Sequence, residues 1–518
     1  MRRGPGRVGA LVVALAATLL PLSSPDAVAQ TRPSAPPSTV ARVGVPQNIY
    51  AVGDSITTAT GTAALGDEHP ANSWVTGTNP SSFPDGRGGS AQVLSMRHRL
   101  GIAQGNAVNL AQNGRRMSDF DDQANRLPSS AQYVVVLLGG NDLCRPSVAE
   151  MTSEASYRSS FRAGLTAVQA RAPNALVFVS SIPDIYNLWF LRKGSLKART
   201  FWDNPTGFEI PCESLLENPG STSSADENRR RQVRTRNIAF NRILEEECAL
   251  VLRCRFDGHG LFRRTSNRVD PFSNSSPYLP ESQWGFRDQD ISHDQGTWRA
   301  LCPANFNYSG CGDHFHPSHW GQAKLALAGH DFSYRFQSDS TAPTATIVPA
   351  RSPDGAGVYA RSVEVRFGGT DANGIRGQEV RVQGPDGVLG PWQPTIGLAP
   401  ARTVSAVGTT YVQVRTLDRN GNLSASTTRS ITIDPTAFGG VSGTVSGPAG
   451  PLAGIEVSLH DAGSSGALET VTTGADGTYA FTELVAGDEV KVLAHDPSGV
   501  HVDQWYDGAA GHGGATSI

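Results

Sequence analysis

Four short polar segments of this sequence contain the residue types that acyl-transfer chemistry requires. They are GDSI with Ser55, QNG with Gly114, GGND with Asn141, and DHFHP with Asp313 and His316. A serine hydroxyl is a weak nucleophile until an imidazole takes its proton, and a carboxylate must orient that imidazole. The tetrahedral oxyanion then needs N–H donors, which a closely approaching glycine backbone and an asparagine amide supply. The pattern predicts nucleophilic catalysis by a serine.

Each segment also has a plain structural interpretation. Gly, Asp and Ser are common turn residues after a strand, and a G-G-N-D turn is equally ordinary. The appearance of all four segments in order favours catalysis over four unrelated turns. Asp54 and Asp142 are expected to hold their turns. No G-x-S-x-G motif surrounds Ser55, which argues against the α/β-hydrolase arrangement.

Apolar runs alternate with helical stretches through the N-terminal part of the chain. The predicted strands are 48–52, 107–111, 132–138, 175–180 and 251–256, and the predicted helices include 155–171, 226–248 and 319–330. Such alternation predicts a parallel sheet with helices on both faces. Ligands of these sheets bind at the carboxyl ends of the strands, and Ser55 follows the first strand directly. The elements therefore place the polar segments where a site is expected.

The four segments resemble the blocks of the SGNH/GDSL hydrolases, which are serine esterases and lipases on a flavodoxin-like sheet. The resemblance spans most of residues 48–330. It implies an α/β three-layer sandwich with Ser55 as nucleophile, His316 as general base and Asp313 as the orienting carboxylate. It also implies an oxyanion hole made by the backbone N–H groups of Ser55 and Gly114 and the side-chain amide of Asn141. No cofactor is expected.

The segment GGNDLC and the cysteine-bearing insertion after it are similar to the phospholipase B-like and lipase branches of that family. This similarity implies lipid or simple carboxylic esters as substrates. The insertion 183–225 carries an aromatic and aliphatic cluster: Ile185, Tyr186, Leu188, Trp189, Phe190, Leu191, Phe201 and Trp202. The cluster suits an acyl groove or a lid, because ligand sites are mostly apolar. Ordinary packing over the sheet is an equal alternative.

Two groups of residues have the side chains that bind metals, but a role without a metal is predicted for both groups. His314 and His319 flank His316, but a serine hydrolase needs one histidine, so packing or solvent exposure is expected for the other two. Three aspartates follow one another closely in RDQDISHDQ: Asp288, Asp290 and Asp294. Their spacing lacks the glycine and glutamate of an EF-hand loop, so a solvated acidic loop is predicted. We expect no metal site.

The N-terminus predicts export. Three arginines precede the apolar stretch 8–22, and Ala27-Val28-Ala29 supplies small residues for cleavage after Ala29. The stretch is short for a membrane span, so the signal peptide 1–29 is preferred over a retained anchor. Residues 30–46, rich in Pro, Ser and Ala, are expected to form a flexible leader. A net charge of −3 gives no reason to expect nucleic-acid binding. The mature protein is expected to be a secreted monomer.

The cysteines agree with export. An even number in an exported chain predicts disulfides, although six cysteines allow 15 pairings. Short loops favour Cys248–Cys254 and Cys302–Cys311, which leaves Cys144 with Cys212. Zinc is the competing use, and the absence of any C-x-x-C pair argues against it.

The composition changes after Ser338. The predicted hydrolase domain, 47–337, is followed by two β-rich regions: 338–436 resembles a bacterial immunoglobulin-like sandwich, and 437–518 resembles a carboxypeptidase regulatory-like or Cna B-type domain. The second stops before the last strand such a domain normally has, so it is expected to be truncated or unusual. Both kinds of domain serve as spacers or attachment modules. Attachment to cell wall or polysaccharide would favour an acetylated glycan as substrate. An adhesin with an inactive hydrolase-like domain, or a structural spacer, is the non-enzymatic alternative to an esterase.

Overall fold

The structure is a computed structural model that describes most of the chain. The described residues are 34–36, 42–62, 67–78, 82–84, 90–203, 212–292, 312–336, 338–353, 357–395, 400–435, 438–485 and 489–518. The predicted signal peptide, the predicted Cys302–Cys311 pair and Asp294 lie outside them. None of the described helices combines the length and the apolar character that a membrane crossing needs.

A parallel sheet forms the centre of the N-terminal part. The strands of this part are β1 Ile49–Gly53, β2 Ser82–Pro84, β3 Ser90–Gln92, β4 Ala107–Asn109, β5 Tyr133–Leu137, β6 Leu176–Val179 and β7 Cys254–Phe256. Strands β2 and β3 pair only with each other, and the other five form one sheet in the order β4-β1-β5-β6-β7. All neighbours in that sheet are parallel. This is the strand order of flavodoxin-like sheets.

Burial explains why these segments form strands. Every residue of β5, YVVVL, is buried, as are all four residues of β6. Continuous β-branched and aliphatic runs suit a parallel sheet that is covered on both faces. Strand β4 is shorter than the predicted 107–111, although Leu110 N–H still donates to the Ala51 carbonyl at 2.8 Å.

Ten helices of the described chain cover or border this sheet. They are α1 Met96–Arg99, α2 Phe120–Ala124, α3 Gly140–Leu143, α4 Glu154–Arg171, α5 Tyr186–Arg192, α6 Leu196–Asp203, α7 Glu213–Leu216, α8 Ser224–Ala249, α9 Gly260–Thr265 and α10 His319–Phe332. The helices α1, α4, α8 and α10 each follow a serine whose hydroxyl accepts a backbone N–H of the first turn. Such caps satisfy one of the free donors at a helix start. The three predicted helices agree with α4, α8 and α10 to within two residues.

Helices on both sides of the sheet complete three layers. On one face, Phe120 of α2 stacks on Phe161 of α4, and Tyr157 of α4 stacks on Phe240 of α8. On the other face, Met96 of α1 and Leu325 of α10 are buried in a second apolar cluster. The predicted α/β three-layer fold is confirmed.

Antiparallel strands make up the rest of the described chain. The first group is β8 Thr346–Pro349, β9 Val363–Gly368, β10 Ile375–Gln383, β11 Gln393–Thr395, β12 Ala401–Val404, β13 Gly408–Asp418 and β14 Thr427–Ile433. It forms a four-stranded sheet, β11-β10-β13-β14, and a three-stranded sheet, β12-β9-β8. The two sheets share an apolar core that includes Val365, Val412 and Ile431.

The second group is β15 Phe438–Thr444, β16 Ser446–Gly447, β17 Gly450–Pro451, β18 Glu456–Asp461, β19 Ala467–Thr472, β20 Thr478–Val485, β21 Val490–His495 and β22 Gln504–Trp505. Its main sheet has the order β19-β18-β21-β22, and β15 pairs with β20. Its core includes Val457 and Phe481. The α/β part is thus followed by two all-β parts, as predicted.

The first β-rich part packs closely against the α/β part. Arg253, just before β7, donates to both carboxylate oxygens of Glu379 on β10 at 2.7 Å, and Arg415 on β13 also pairs with Glu379. Arg42, which the sequence assigned to the flexible leader, pairs through its backbone with Leu423. These contacts join residues from three distant parts of the chain.

Candidate active site

Ser55 lies in a tight turn at the carboxyl end of β1. The side chain of Gln123 fixes the last strand residue, since its Oε1 accepts the Gly53 N–H and its Nε2 donates to the Gly53 carbonyl, both at 2.9 Å. The N–H groups of Thr57 and Thr58 then donate to the Asp54 carbonyl. These bonds hold Ser55 at the edge of the sheet, where it is only 8% exposed.

The structure brings Ser55, His316 and Asp313 into one hydrogen-bonded chain. His316 Nε2 lies 2.8 Å from Ser55 Oγ, although 261 residues separate the two in sequence. His316 Nδ1 lies 2.6 Å from Asp313 Oδ2. With the proton on Nδ1, Nε2 is free to accept the serine proton, which is the arrangement that nucleophilic attack requires.

Asp313 is held from several sides. Its Oδ1 accepts the backbone N–H groups of Phe315 and His316, both at 3.0 Å. Burial alone would raise the pKa of Asp313, but the neighbouring His316 and these hydrogen bonds lower it below its ordinary value. The carboxylate therefore stays ionised while it orients the imidazole.

Gly61 and Ser292 position the loop that carries Asp313. Gly61 has φ of +72°, and a Cβ built on it would lie 2.2 Å from Asp313 Oδ2. The Ser292 hydroxyl donates to the Gly61 carbonyl at 2.6 Å and accepts the Asp313 N–H at 3.2 Å. Only a glycine fits between this turn and the carboxylate.

The three candidate oxyanion donors, Ser55, Gly114 and Asn141, follow the neighbouring strands β1, β4 and β5. In the described part of the chain, neither the Ser55 nor the Gly114 backbone N–H donates to another protein group. Asn141, at the start of α3, uses one amide N–H to donate to the Arg115 carbonyl at 2.9 Å. Asn113 Oδ1 accepts the hydroxyls of Thr58 and Thr60, both at 2.7 Å. The segment with Gly114 is thereby tied both to Asn141 and to the turn after Ser55.

Two buried carboxyl groups stand next to these donors. Asp54 Oδ1 accepts the Ile56 N–H, and Asp142 Oδ2 accepts the Met117 N–H. These bonds match the turn-holding roles predicted for both. Burial raises the pKa of Asp54 from 3.8 to about 7, and burial also raises the pKa of Asp142.

An apolar cavity of about 90 Å³ opens beside Ser55 and His316. The insertion supplies much of its wall through Ile185, Leu188 and Leu191 on and just before α5. Trp189 and Trp202 of the same insertion are instead buried in the protein core. The insertion therefore both lines the cavity and packs over the sheet.

His314 packs in the interior, as one of the two expectations for it had it, whereas the aspartates after α9 differ in part from the expected solvated loop. His314 is buried, has φ of +53°, and its Nδ1 accepts a hydrogen bond from Arg192 of α5 at 2.5 Å. The same guanidinium pairs with Asp288. Asp290 is fully buried and pairs with Lys324 at 2.6 Å, so the prediction of a solvated acidic loop is wrong for this residue. His319 is buried at the start of α10.

Two of the three predicted disulfides fall on described residues, and both are present. Cys144, which lines the cavity, is bonded to Cys212, and Cys248 at the end of α8 is bonded to Cys254 of β7.

A cluster of acidic side chains lies in the first β-rich part, where Asp339, Asp371 and Asp418 bring carboxylate oxygens within 4.8 Å of one another.

Sequence reasoning missed the residues that align the site through distant contacts: Gly61, Gln123, Arg192 and Ser292. Ser292 lies within RDQDISHDQ, where only the aspartates drew attention, and the other three belong to no motif. Each of the four contacts a residue far along the chain. Gly61 follows a run of small polar residues in TATGTA, which gives no sign that Asp313 lies against it. A tertiary structure was needed to find them.

Ser55, His316 and Asp313 lie together beside the carboxyl end of β1, in the hydrogen-bonded arrangement that serine hydrolases use. Residues 51–270 match the model of the GDSL-like Lipase/Acylhydrolase family. The match begins within β1, includes β7 and ends before Asp313 and His316. The chain is an ester-bond hydrolase.

Several solved structures are similar in fold to this chain. Phospholipase A1 from Streptomyces albidoflavus is 17% identical, over 56% of this chain and 99% of that chain, with a TM-score of 0.30. An extracellular lipase from Streptomyces rimosus is 14% identical, over 57% and 100%, with a TM-score of 0.27. A carbohydrate esterase family 2 enzyme from Corynascus thermopiles is 14% identical, over 57% and 68%, with a TM-score of 0.24. Similarities this low carry no argument about substrate. No curated protein matches the sequence.

Proposed function

We propose that the chain is a secreted serine carboxylic-ester hydrolase that acts through Ser55, His316 and Asp313. One observation carries this proposal: His316 Nε2 lies 2.8 Å from Ser55 Oγ, while its Nδ1 lies 2.6 Å from Asp313 Oδ2. An imidazole bonded on one side to a hydroxyl and on the other to a carboxylate is suited to general-base catalysis.

The reaction follows from these groups. Ser55 Oγ attacks the ester carbonyl carbon as His316 takes its proton, and the resulting imidazolium protonates the leaving alcohol oxygen. The Ser55 and Gly114 N–H groups and the Asn141 amide stabilise the oxyanion, each donor contributing roughly 3–4 kcal/mol. Water then attacks the acyl-enzyme with His316 again acting as base, which releases the acid and regenerates Ser55.

The apolar cavity supports an acyl group as its occupant. Its volume of about 90 Å³ is smaller than the roughly 150 Å³ of an engineered cavity that holds benzene. Short acyl groups therefore fit it, whereas a long acyl chain exceeds its volume. We expect a maximum of kcat/KM near the butyryl ester in a series of p-nitrophenyl esters from acetyl to palmitoyl. Activity that rises steadily to palmitoyl would contradict this assignment.

A fluorophosphonate probe tests the nucleophile. We expect the probe to label the intact protein and the Ser55→Ala variant to lose both labelling and hydrolysis of p-nitrophenyl butyrate. Ser118→Ala, a change at an exposed serine, is the matched control and keeps both. Labelling that persists in folded Ser55→Ala would overturn the proposal, and folded wild-type protein that neither reacts nor hydrolyses the ester would favour an adhesin.

The two all-β parts support a second candidate substrate. We interpret 338–436 as an immunoglobulin-like module and 437–518 as a Cna B-type module that attach the enzyme to cell wall or polysaccharide. Acetylated glycans would then be the natural esters. Release of acetate from acetylated xylan, together with co-sedimentation of the full chain with the glycan, would favour this substrate over simple acyl esters.

Export is tested on the protein itself. Expression with its own N-terminus in a host that exports proteins should yield extracellular protein that begins at Gln30, the residue after Ala29. N-terminal sequencing measures the cleavage point directly.

A further inference from the structure

A polar groove of about 700 Å³ lies beside the apolar cavity. The segment 109–116, which follows β4, forms one wall, and Glu68, Asp119 and Arg126 complete it. An added Cβ on Gly114 would meet nothing within 4 Å, so this wall is open to an incoming molecule. The groove thus begins at one of the candidate oxyanion donors.

One hydrogen bond separates the groove from the apolar cavity. Asn141 lines the cavity together with Ser55, whereas Arg115 lines the groove. The Asn141 amide donates to the Arg115 carbonyl at 2.9 Å. The apolar cavity and the groove therefore adjoin at this hydrogen bond.

The groove has an excess of positive charge. Arg115 is already paired with Asp119 at 2.9 Å, so these two charges offset each other. Arg126 donates to the Leu110 carbonyl at 2.9 Å and forms no ion pair with a described residue. Arg116 likewise forms none within the described chain, and Glu68 is the one carboxylate left in the wall. Two guanidinium groups therefore face the groove against a single carboxylate.

We propose that this groove binds a phosphate group of the ester substrate, with Arg116 and Arg126 as its ligands. The inference rests on the proposed ester hydrolase function and names the class of substrate: an ester whose acyl part is apolar and whose remaining part bears phosphate. Guanidinium groups bind phosphate oxygens through parallel N–H bonds, which gives them a geometric advantage over other cations. A neutral sugar or alcohol would accept hydrogen bonds from the two arginines but would lack the charge attraction and the bidentate geometry of phosphate.

Matched substrates test the inference. The phosphate preference is kcat/KM for butyryl-glycerol 3-phosphate divided by kcat/KM for butyryl-glycerol. We expect wild-type protein to prefer the phosphate ester, and Arg116→Ala and Arg126→Ala each to lower the preference about fivefold, as for a partly exposed ion pair. Glu68→Gln removes the opposing charge and should raise the preference. Added salt should lower the wild-type preference, because exposed charges are screened.

Arg366→Ala is the matched control, since it removes one exposed arginine on β9 and should leave the preference unchanged. A preference that stays within twofold of wild type in both groove variants overturns the inference. Hydrolysis of p-nitrophenyl butyrate separates this failure from a failure of the proposed function. If the preference is unchanged but wild type and variants hydrolyse p-nitrophenyl butyrate equally, only the phosphate site is wrong. If wild-type protein does not hydrolyse p-nitrophenyl butyrate, the proposed ester hydrolase function itself fails. The same preference is measured with palmitoyl esters in micelles. A phosphate preference found only in micelles indicates recognition of a lipid headgroup, whereas a preference found also in the soluble butyryl esters indicates recognition of phosphate itself.

Discussion

At the scale of single residues, the buried Asp54 carboxyl makes stability depend on pH. Burial raises its pKa from 3.8 to about 7, so the folded protein holds this proton more tightly than the unfolded chain does. Between about pH 4 and pH 7 the unfolded chain is ionised here while the folded protein is still protonated. The free energy of unfolding therefore falls as the pH rises through this window, by a total on the order of 4 kcal/mol.

Asp54→Asn should remove this loss. Asparagine keeps an acceptor for the Ile56 N–H but cannot ionise. We expect the variant and the wild type to have similar Tm values near pH 4 and the variant to be more stable at pH 8. Asp386→Asn is the control, because exposed Asp386 makes the same bond to the N–H two residues on, at Val388. A Tm difference between the variant and the wild type that does not change with pH would contradict the raised pKa of Asp54.

Gly61 allows a second test at this scale. Gly61→Ala places a methyl group against Asp313, where the added Cβ would lie 2.2 Å from Oδ2. Displacement of the carboxylate turns the His316 ring, and misplacement of about 1 Å can cost about 100-fold in rate. We expect kcat for p-nitrophenyl butyrate to fall by roughly that factor with little change in KM.

Gly101→Ala is its matched control. Gly101 has φ of +70°, almost the same as Gly61, but an added Cβ meets nothing within 4 Å. It therefore reproduces the backbone strain without the contact. Equal losses of activity in the two variants would show that strain, and not the approach to Asp313, is responsible.

At the scale of elements, α5 links the substrate cavity to the loop that carries the imidazole. Leu188 and Leu191 line the cavity, and one residue further on Arg192 donates to His314 Nδ1 at 2.5 Å. His314 lies between Asp313 and His316 in a left-handed backbone conformation. Arg192 therefore acts as a positioning residue, since it holds the loop but does not touch Ser55.

Arg192→Gln should lower kcat roughly tenfold to a hundredfold, because the loop is no longer fixed against α5. Arg192→Lys should restore part of the activity, since a lysine keeps the positive charge and can still donate a hydrogen bond to His314. Steady-state kinetics with p-nitrophenyl butyrate and the rate of fluorophosphonate labelling measure the effect. Lys193→Gln removes the charge at the residue directly after α5 and should change neither quantity. A loss equal to that of Arg192→Gln would refute the positioning role.

The elements also show what the sequence could and could not predict. β5 and β6 were predictable because each is a continuous buried run, and α4, α8 and α10 because periodic patterns follow a serine cap. The order of the four polar segments favoured catalysis, and their resemblance to the SGNH/GDSL blocks selected Ser55 and His316 as partners. The contact of Arg192 with His314 joins positions 122 residues apart and depends on how the insertion folds back, which no local pattern encodes.

At the scale of the whole molecule, a buried ionic cluster joins the hydrolase part to the first β-rich part. Glu379 of β10 lies between Arg253 and Arg415, and all three side chains are 7% exposed. Burial alone would raise the pKa of Glu379, but the charges of Arg253 and Arg415 lower it below its ordinary value. This depressed pKa stabilises the fold above the unfolded pKa of about 4.3, and the contribution is lost as the pH falls through the folded pKa.

Glu379→Gln should destabilise both parts together. It leaves two buried guanidinium groups without a carboxylate, and removal of one partner from a buried ion pair costs about 3–5 kcal/mol. Because Arg253 belongs to the hydrolase part, we expect ester hydrolysis to be lost at a lower urea concentration, in step with the change in intrinsic fluorescence. Glu364→Gln, in an exposed pair with Arg366, is the control and should cost at most about 1 kcal/mol. If the hydrolase part kept its urea midpoint while only the β-rich part unfolded earlier, the two parts would be independent and the cluster a surface contact between them.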